Sequence, residues 1–548
     1  MTQFLNNSRF KRLFWYSSIV VCSLYILWSF RNRFRVKVLT RNQTIEKIEI
    51  GLPQNGFIPV LNCFMSNTRK ESVVYTNNER NQLRIFDYYE KNMSFCEVFH
   101  SNFQDIIIKS VSSVDFNDHN INDILLMHSK NGQEPYDLSI LRNNNGLFEN
   151  ILQPLGIKSL SIPLILYENN TRVLLIQDPQ TQKYVKLGKN GSLITNINDS
   201  YITFVTGQIE KKQNENKILA LHESGSFISI WDQGFLSETR LLTPQYSKDI
   251  YLADIDDDSN LDLLIAVSPP NSPSFICIYF NNGTGYNSDP QCSRIDTSLK
   301  YVVGEGFSNE SAITSVDFFG YGRNDIILNS YLNGSETIIV LSNHKCIGCG
   351  FREVILSKHS YIEGNGGIFD PFNNGSISII SNKGGVYTYW KSELDYYMSI
   401  RSLSQNIDEL NQIQAKNSFS RTRYGSTIRV IYTDRSGLKH EKVCAIQQKN
   451  APHTSSCIFN FGDSIHYIDS IGLFGSIQDE WNWILPNSEV YLYENHQIIV
   501  YSKYRVQPYY VVFWTTVLLC ILGLSVLYLS IREEEEDKNE AESMLPLF

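Results

Sequence analysis

The sequence predicts an all-β body followed by a membrane-crossing helix, and three observations predict it. First, one acidic turn recurs before a short apolar run: VDFNDHNINDILLM (114–127), LADIDDDSNLDLLI (252–265), VDFFGYGRNDIILN (316–329) and FDPFNNGSISIISN (369–382). Second, only 19 % of the 548 residues are charged and 12 % are aromatic, with Asn, Ser and Gly scattered throughout, which suits strands joined by many turns. Third, residues 510–531, YVVFWTTVLLCILGLSVLYLSI, form an uncharged run long enough to span about 30 Å of hydrocarbon.

In chain order, residues 1–12 are a short basic N-terminus and 13–30 (LFWYSSIVVCSLYILWSF) an apolar stretch. That stretch reads as a signal sequence or an uncleaved signal anchor; no small-x-small cleavage pattern follows it, and basic residues flank both ends. Residues 51–395 carry the repeated loop-plus-strand unit. Weaker copies between the acidic ones bring the units to seven, starting near 57, 108, 160, 200, 247, 310 and 365. A spacing of roughly 40–60 residues fits four-stranded blades closed into a seven-bladed β-propeller. Residues 415–505 then read as a small sandwich-like β domain of two hairpins, one turning at 434–437 and one at 494–496. The transmembrane helix (510–531) and an acidic tail (532–548) complete the chain.

Nine N-x-S/T triplets, at Asn42, Asn92, Asn169, Asn190, Asn198, Asn282, Asn309, Asn333 and Asn374, all fall between the two apolar stretches. That distribution fits an exported, glycosylated body with the tail in the cytosol, in a plasma or secretory-pathway membrane. The topology is single-pass type I, or two-pass if the N-terminal segment is retained. Outside the apolar stretches the cysteines form four neighbouring pairs: Cys63 with Cys96, Cys277 with Cys292, Cys346 with Cys349, and Cys444 with Cys457. In an oxidising compartment these are candidate disulfides.

The loop at 254–262 has the chemistry of a calcium site. Ca²⁺ takes six to eight oxygens in a flexible cage. Positions 1, 3, 5 and 9 of the loop supply Asp254, Asp256, Asp258 and Asp262, and position 7 supplies the Asn260 carbonyl. Four carboxylates favour Ca²⁺ over Mg²⁺, and the spacing excludes an EF-hand, because Ser259 and Ile265 stand where that motif has Gly and Glu. A weaker calcium loop holds Asp115, Asn117 and Asp123. The 317–325 loop has Phe319 and Tyr321 at ligand positions and is expected to keep the fold without the metal. Asx-turns alone would use fewer acids.

The unit resembles the FG-GAP repeat of integrin α-chain propellers, with Asp254-Ile255-Asp256-Asp257-Asp258-Ser259-Asn260-Leu261-Asp262-Leu263 for the loop and Val267-Ser268-Pro269 where Gly-Ala-Pro would stand. Together with EWNWILPNSEVYLY (480–493), YIDSIGLFG before it and the closing apolar helix, the chain resembles the T-cell immunomodulatory protein family. The resemblance implies a type I membrane glycoprotein with an FG-GAP propeller ectodomain and structural calcium. Its expected role is adhesion or protein interaction at the cell surface, with modulation of immune cells.

No G-x-S-x-G elbow, H-E-x-x-H helix or phosphate loop occurs, so no enzyme and no small-molecule substrate is expected. No basic stripe points to nucleic acid, and the net charge is −9. The expected partner is an extracellular or cell-surface protein. The alternative is a glycan-binding or trafficking receptor stacking sugars on Trp231, Trp390, Trp481 or Trp483; an extracellular hydrolase ranks below both.

Overall fold

The computed structural model describes residues 45–544 apart from 64–71, 293–305, 346–353, 404–421 and shorter loop stretches; the 13–30 segment lies outside the described residues. Antiparallel sheets, mostly four-stranded, follow one another along residues 56–389, and in most of them sequence neighbours pair as a meander. Their first strands are Gly56–Cys63, Ile107–Val114, Leu164–Glu168, Tyr201–Gly207, Ser247–Ala253, Gly306–Phe307 with Ile313–Val316 on the same partner, and Gly366–Phe369. Several of these pack on one another: Gly56–Cys63 on Ile107–Val114, Tyr201–Gly207 on Ser247–Ala253, and Ser247–Ala253 on Ile313–Val316. Gly56–Cys63 also meets Gly366–Phe369, so the first sheet touches the last.

The last sheet takes three strands from its own segment and a fourth, Ile45–Glu49, from the N-terminal side. Ile45 lies opposite Tyr389 and Glu49 opposite Gly385. This arrangement is propeller-like, and the borrowed strand shields an edge that would otherwise be open. The repeat body predicted from residue 51 onward does not include that strand. Pairing across more than 300 residues leaves no local trace.

Middle strands are buried on both faces because a neighbouring sheet covers each. Asp262–Val267 is buried throughout. Leu264 and Ala266 pack with Ile313, Ile326 and Ile339 of the next sheet, while Leu263 and Ile265 face Val205, Leu219 and Leu221 of the preceding one. Two-sided burial explains why this strand reads as an unbroken apolar run rather than an alternating one.

Two disulfides are formed among the described residues. Cys277–Cys292 ties the third strand of the fifth sheet to the fourth, and Cys444–Cys457 ties together two sheets of the C-terminal β domain. Cys96 is free and exposed, which corrects the expected Cys63–Cys96 pair. Cys63 lies opposite Ser72, Ser72 opposite Asp87, and Asp87 opposite Cys96. The two cysteines therefore stand at opposite edges of one sheet, about 14 Å apart at the usual strand spacing and beyond the roughly 7 Å disulfide reach. Cys346 and Cys349 lie outside the described residues. Cys277→Ser with Cys292→Ser should lower stability by about 3 kcal/mol, because the bridge closes a 15-residue loop. Denaturant unfolding with and without reductant measures it.

The C-terminal β domain packs two four-stranded sheets. One orders Cys457–Gly462, Tyr396–Leu403, Ser488–Tyr493 and Ile498–Ser502; the other orders Lys439–Ala445, Thr427–Asp434, Ile465–Phe474 and Asp479–Ile484. Met398, Ile400, Val430, Ile471 and Val490 fill the space between them. The domain begins earlier than residue 415, because Tyr396–Leu403 inserts parallel to Ser488–Tyr493. The Pro-Asn-Ser stretch is the turn that switches sheets. Asn487 is left-handed (φ 56°), its side-chain oxygen accepts from the Tyr397 amide at 3.1 Å, and Ser488 Oγ donates to Leu485 O at 2.7 Å.

The helix Pro508–Met544 follows the last strand, Ile498–Ser502. Its apolar part is exposed along the described length, with Leu519 at 67 % and Val526 at 66 %, and it is long and apolar enough to cross a membrane.

Candidate metal centre

The loop of the fifth sheet joins Ser247–Ala253 to Asp262–Val267, and pairing of Ala253 with Asp262 closes it. Asp254, Asp256 and Asp262 are all buried, and each can place a carboxylate oxygen within 4.8 Å of the others. Burial and the neighbouring Asp257, Asp256 and Asp258 charges push the Asp254 pKa well above the usual carboxylate range. Asp262 is raised in the same way, first by burial and then by Asp256. Three hard oxygen donors whose charges repel one another at low exposure form a donor set that fits a Ca²⁺-type ion. Asp254, Asp256 and Asp262 would hold it, and the ion would supply the counter-charge.

Asp258 is not brought into that group. Its Oδ1 accepts from Asn260 N at 2.9 Å and its Oδ2 from Asn260 Nδ2 at 3.0 Å. Asp254 also frames the turn, accepting from Asp258 N at 3.2 Å and Ser259 N at 3.0 Å. The backbone is left-handed at Asp257 (φ 64°) and Ser259 (φ 68°), and these two reversals upset a count based on alternate positions. Ser259 therefore carries strain of about 1 kcal/mol that the Gly of the FG-GAP pattern would not.

The ninth loop position has a role that sequence reasoning missed. Asp262 Oδ2 accepts from Ile255 N at 3.0 Å and Oδ1 from Asn281 N at 2.9 Å. Asp325 does the same with Phe319 N and Asn343 N, both at 2.9 Å. Asp123 accepts from Phe116 N at 3.0 Å and Asn143 N at 2.9 Å. Each Asp thus staples its own loop to the end of the third strand. The matching Asn turns its amide onto the carbonyl before that Asp: Asn143 onto Asn122 O, Asn281 onto Leu261 O and Asn343 onto Asn324 O. Asn281 reaches Ile209 O and Asn343 reaches Ile255 O as well, clasping each sheet to the preceding one. The Asn follows the Asp by 20, 19 and 18 residues in the three sheets, a spacing that marks the pair in the sequence.

Asp115 and Asn117 of the weaker loop lie outside the described residues, and Asp123 is buried in its staple. Among the acceptor asparagines, Asn282 is described. It is exposed on a turn, and its Oδ1 accepts from Thr284 N at 3.0 Å and Thr284 Oγ1 at 2.7 Å. Asn42, Asn92, Asn169, Asn190, Asn198, Asn309, Asn333 and Asn374 lie outside the described residues.

The C-terminal β domain sits directly on this loop. Arg429, which is buried, donates from Nε to Gln208 Oε1 at 3.0 Å. Its Nη1 donates to Ser259 O at 3.1 Å and to Glu441 Oε1 at 2.6 Å. Ser259 Oγ donates to Glu441 O at 2.9 Å, and Lys211 of the fourth sheet pairs with Glu441 at 2.6 Å. Burial works against the charge on Lys442, but Asp257, Tyr432, Asp317 and Asp254 outweigh it and hold its pKa above the ordinary lysine value.

No family profile and no curated protein matches the sequence. Solved structures similar to the chain include YCF48 bound to D1 peptide, at 13 % identity and TM-score 0.37, covering 65 % of this chain and 97 % of that one. The WD40 domain of SCAP from fission yeast is similar at 11 % identity and TM-score 0.33, covering 79 % and 98 %. YCF48 from Cyanidioschyzon merolae is similar at 10 % identity and TM-score 0.35, covering 63 % and 98 %.

Proposed function

We propose that the chain is a membrane-anchored protein-interaction ectodomain of the T-cell immunomodulatory type. In this reading a seven-bladed FG-GAP propeller carries structural calcium at Asp254, Asp256 and Asp262, and its partner is a cell-surface or extracellular protein. The observation that carries this reading is the sequence of parts: a propeller-like body, a second β domain docked on it, and an exposed apolar helix beginning six residues after the last strand. The body is lumenal or extracellular and the tail cytosolic. Two of the tryptophans behind the glycan-binding alternative, Trp231 and Trp481, are buried at 3 % and 9 % exposure, which weighs against sugar stacking on them.

Glycosidase digestion of the full-length protein expressed in its host tests the orientation. Treatment should raise mobility on a gel, and Asn282→Gln should remove one glycan's worth of the shift. An unglycosylated protein would contradict an exported body. Proximity labelling from the same protein should then enrich surface or secreted partners, and a purely cytosolic set would overturn the reading.

A further inference from the structure

The sixth loop, 317–325, keeps Asp317 and Asp325 but has Phe319 and Tyr321 where ligands would stand. Both acids are buried, at 4 % and 0 % exposure. Asp325 is engaged in its backbone staple, and Asp317 Oδ2 accepts from Gly322 N at 2.9 Å. A positive charge reaches this loop from the other domain. Lys442 Nζ donates to Gly322 O, stands 3.6 Å from Asp257 of the fifth loop, and faces Asp317 and Asp254 electrostatically. Its side chain is 14 % exposed. Lys442, Asp254, Asp257 and Asp317 share the wall of one cavity of about 60 Å³, too small for more than a few waters, so the pull of Lys442 on the buried Asp254 and Asp317 is poorly screened, while Asp257, 42 % exposed, is the solvated partner.

We propose that Lys442 is the resident cation of the junction between the fifth and sixth loops: a tethered ammonium that pins the membrane-proximal domain to the propeller and does for the sixth loop what a divalent ion does elsewhere. The geometry suits an ammonium. Lys442 presents a compact charge with rotatable donors, which suits one carbonyl and several carboxylates around a small space. Glu441, next to Lys442 on its own strand, and Arg429 of the neighbouring strand complete the pin on the fifth-loop side, where they grip Ser259. Gly425, at φ +87°, allows the close approach on the fourth-sheet side: a Cβ there would stand 2.9 Å from Thr206 Oγ1, and Asn216 Nδ2 donates to its carbonyl. The pin needs no bound metal, so it does not depend on calcium in the fifth loop.

Hydrogen exchange of the full-length protein in detergent tests this by comparing peptides covering 317–325 and 439–446 with peptides covering 107–129. In Lys442→Met both junction peptides should exchange at least tenfold faster, with 107–129 unchanged, and Lys442→Arg should recover much of the protection. Asp257→Asn, which keeps the side-chain volume at a left-handed position, should give a smaller rise confined to the same peptides. EGTA should raise exchange at 317–325 in the unsubstituted protein no more than it does at 107–129. Equal exchange in Lys442→Met and the unsubstituted protein would overturn the proposal, as would a loss of protection at 317–325 on chelation greater than that at 107–129. Faster exchange everywhere in Lys442→Met would signal a folding defect, and Asp257→Asn then decides: no local rise in that variant overturns the proposal.

Discussion

Arg429→Ala is expected to destabilise the full-length protein by about 3–5 kcal/mol, the range for breaking a buried charge pair by removing one partner. The guanidinium is 5 % exposed and links three segments through Gln208 Oε1, Ser259 O and Glu441 Oε1. It also lies 5.5 Å over the Phe474 ring. Truncation removes a partner from the Gln208 amide, which is 1 % exposed, and leaves Glu441 with Lys211 as its remaining partner in that network. Lysine at the same position should recover less than half of the loss, because it has no planar fork to reach three acceptors. Thermal melting checks both, and a shift below ~1 °C in Arg429→Ala, equivalent to roughly 1 kcal/mol or less for a body of this size, would be the contrary result.

Asp262→Ala and Asp325→Ala separate the staple from the ion. Each removes a fully buried carboxylate that accepts two backbone amides, and each strands those donors at about 1–3 kcal/mol apiece. In calcium Asp325→Ala should therefore lose about 2–6 kcal/mol, and Asp262→Ala that amount plus the stabilisation the ion supplies. They should differ in EGTA. The unsubstituted protein and Asp325→Ala should each lose a further increment, about 2.7 kcal/mol from calcium at a hundred times its Kd, whereas Asp262→Ala should lose none. Asp262→Asn adds a test of sign. Without the ion, Asp254, Asp256 and Asp262 repel one another at low exposure, so the amide should relieve repulsion and offset part of the weakened staple. Equal chelator sensitivity in all variants would place any calcium elsewhere.

Local features of this protein were legible in the sequence and distant ones were not. The acidic loops announce themselves because a tight hairpin turn and its following strand occupy one short window. Asp254, Asp256 and Asp262 come together as their spacing implies. Asp258 does not, because alternation predicts side-chain direction only while the backbone stays in one region, and here it turns left-handed at Asp257 and Ser259. Asp257 looks like the spare acid of the loop; in the fold it faces Lys442, 185 positions later in the chain. The same distance hides Ile45–Glu49 against Gly385–Tyr389, and Asn281 beneath Ile209. The Asp–Asn staple lies between these cases. Its two members recur at a nearly constant separation, but nothing in either residue alone distinguishes a staple from a surface turn.

Calcium titration calorimetry of the full-length protein in detergent, beside an Asp254→Asn, Asp256→Asn variant, addresses the fifth loop most directly. Saturable binding is expected, with a site that disappears in the variant, while the variant remains folded by circular dichroism. Identical isotherms for the two proteins, or no binding to either, would contradict it.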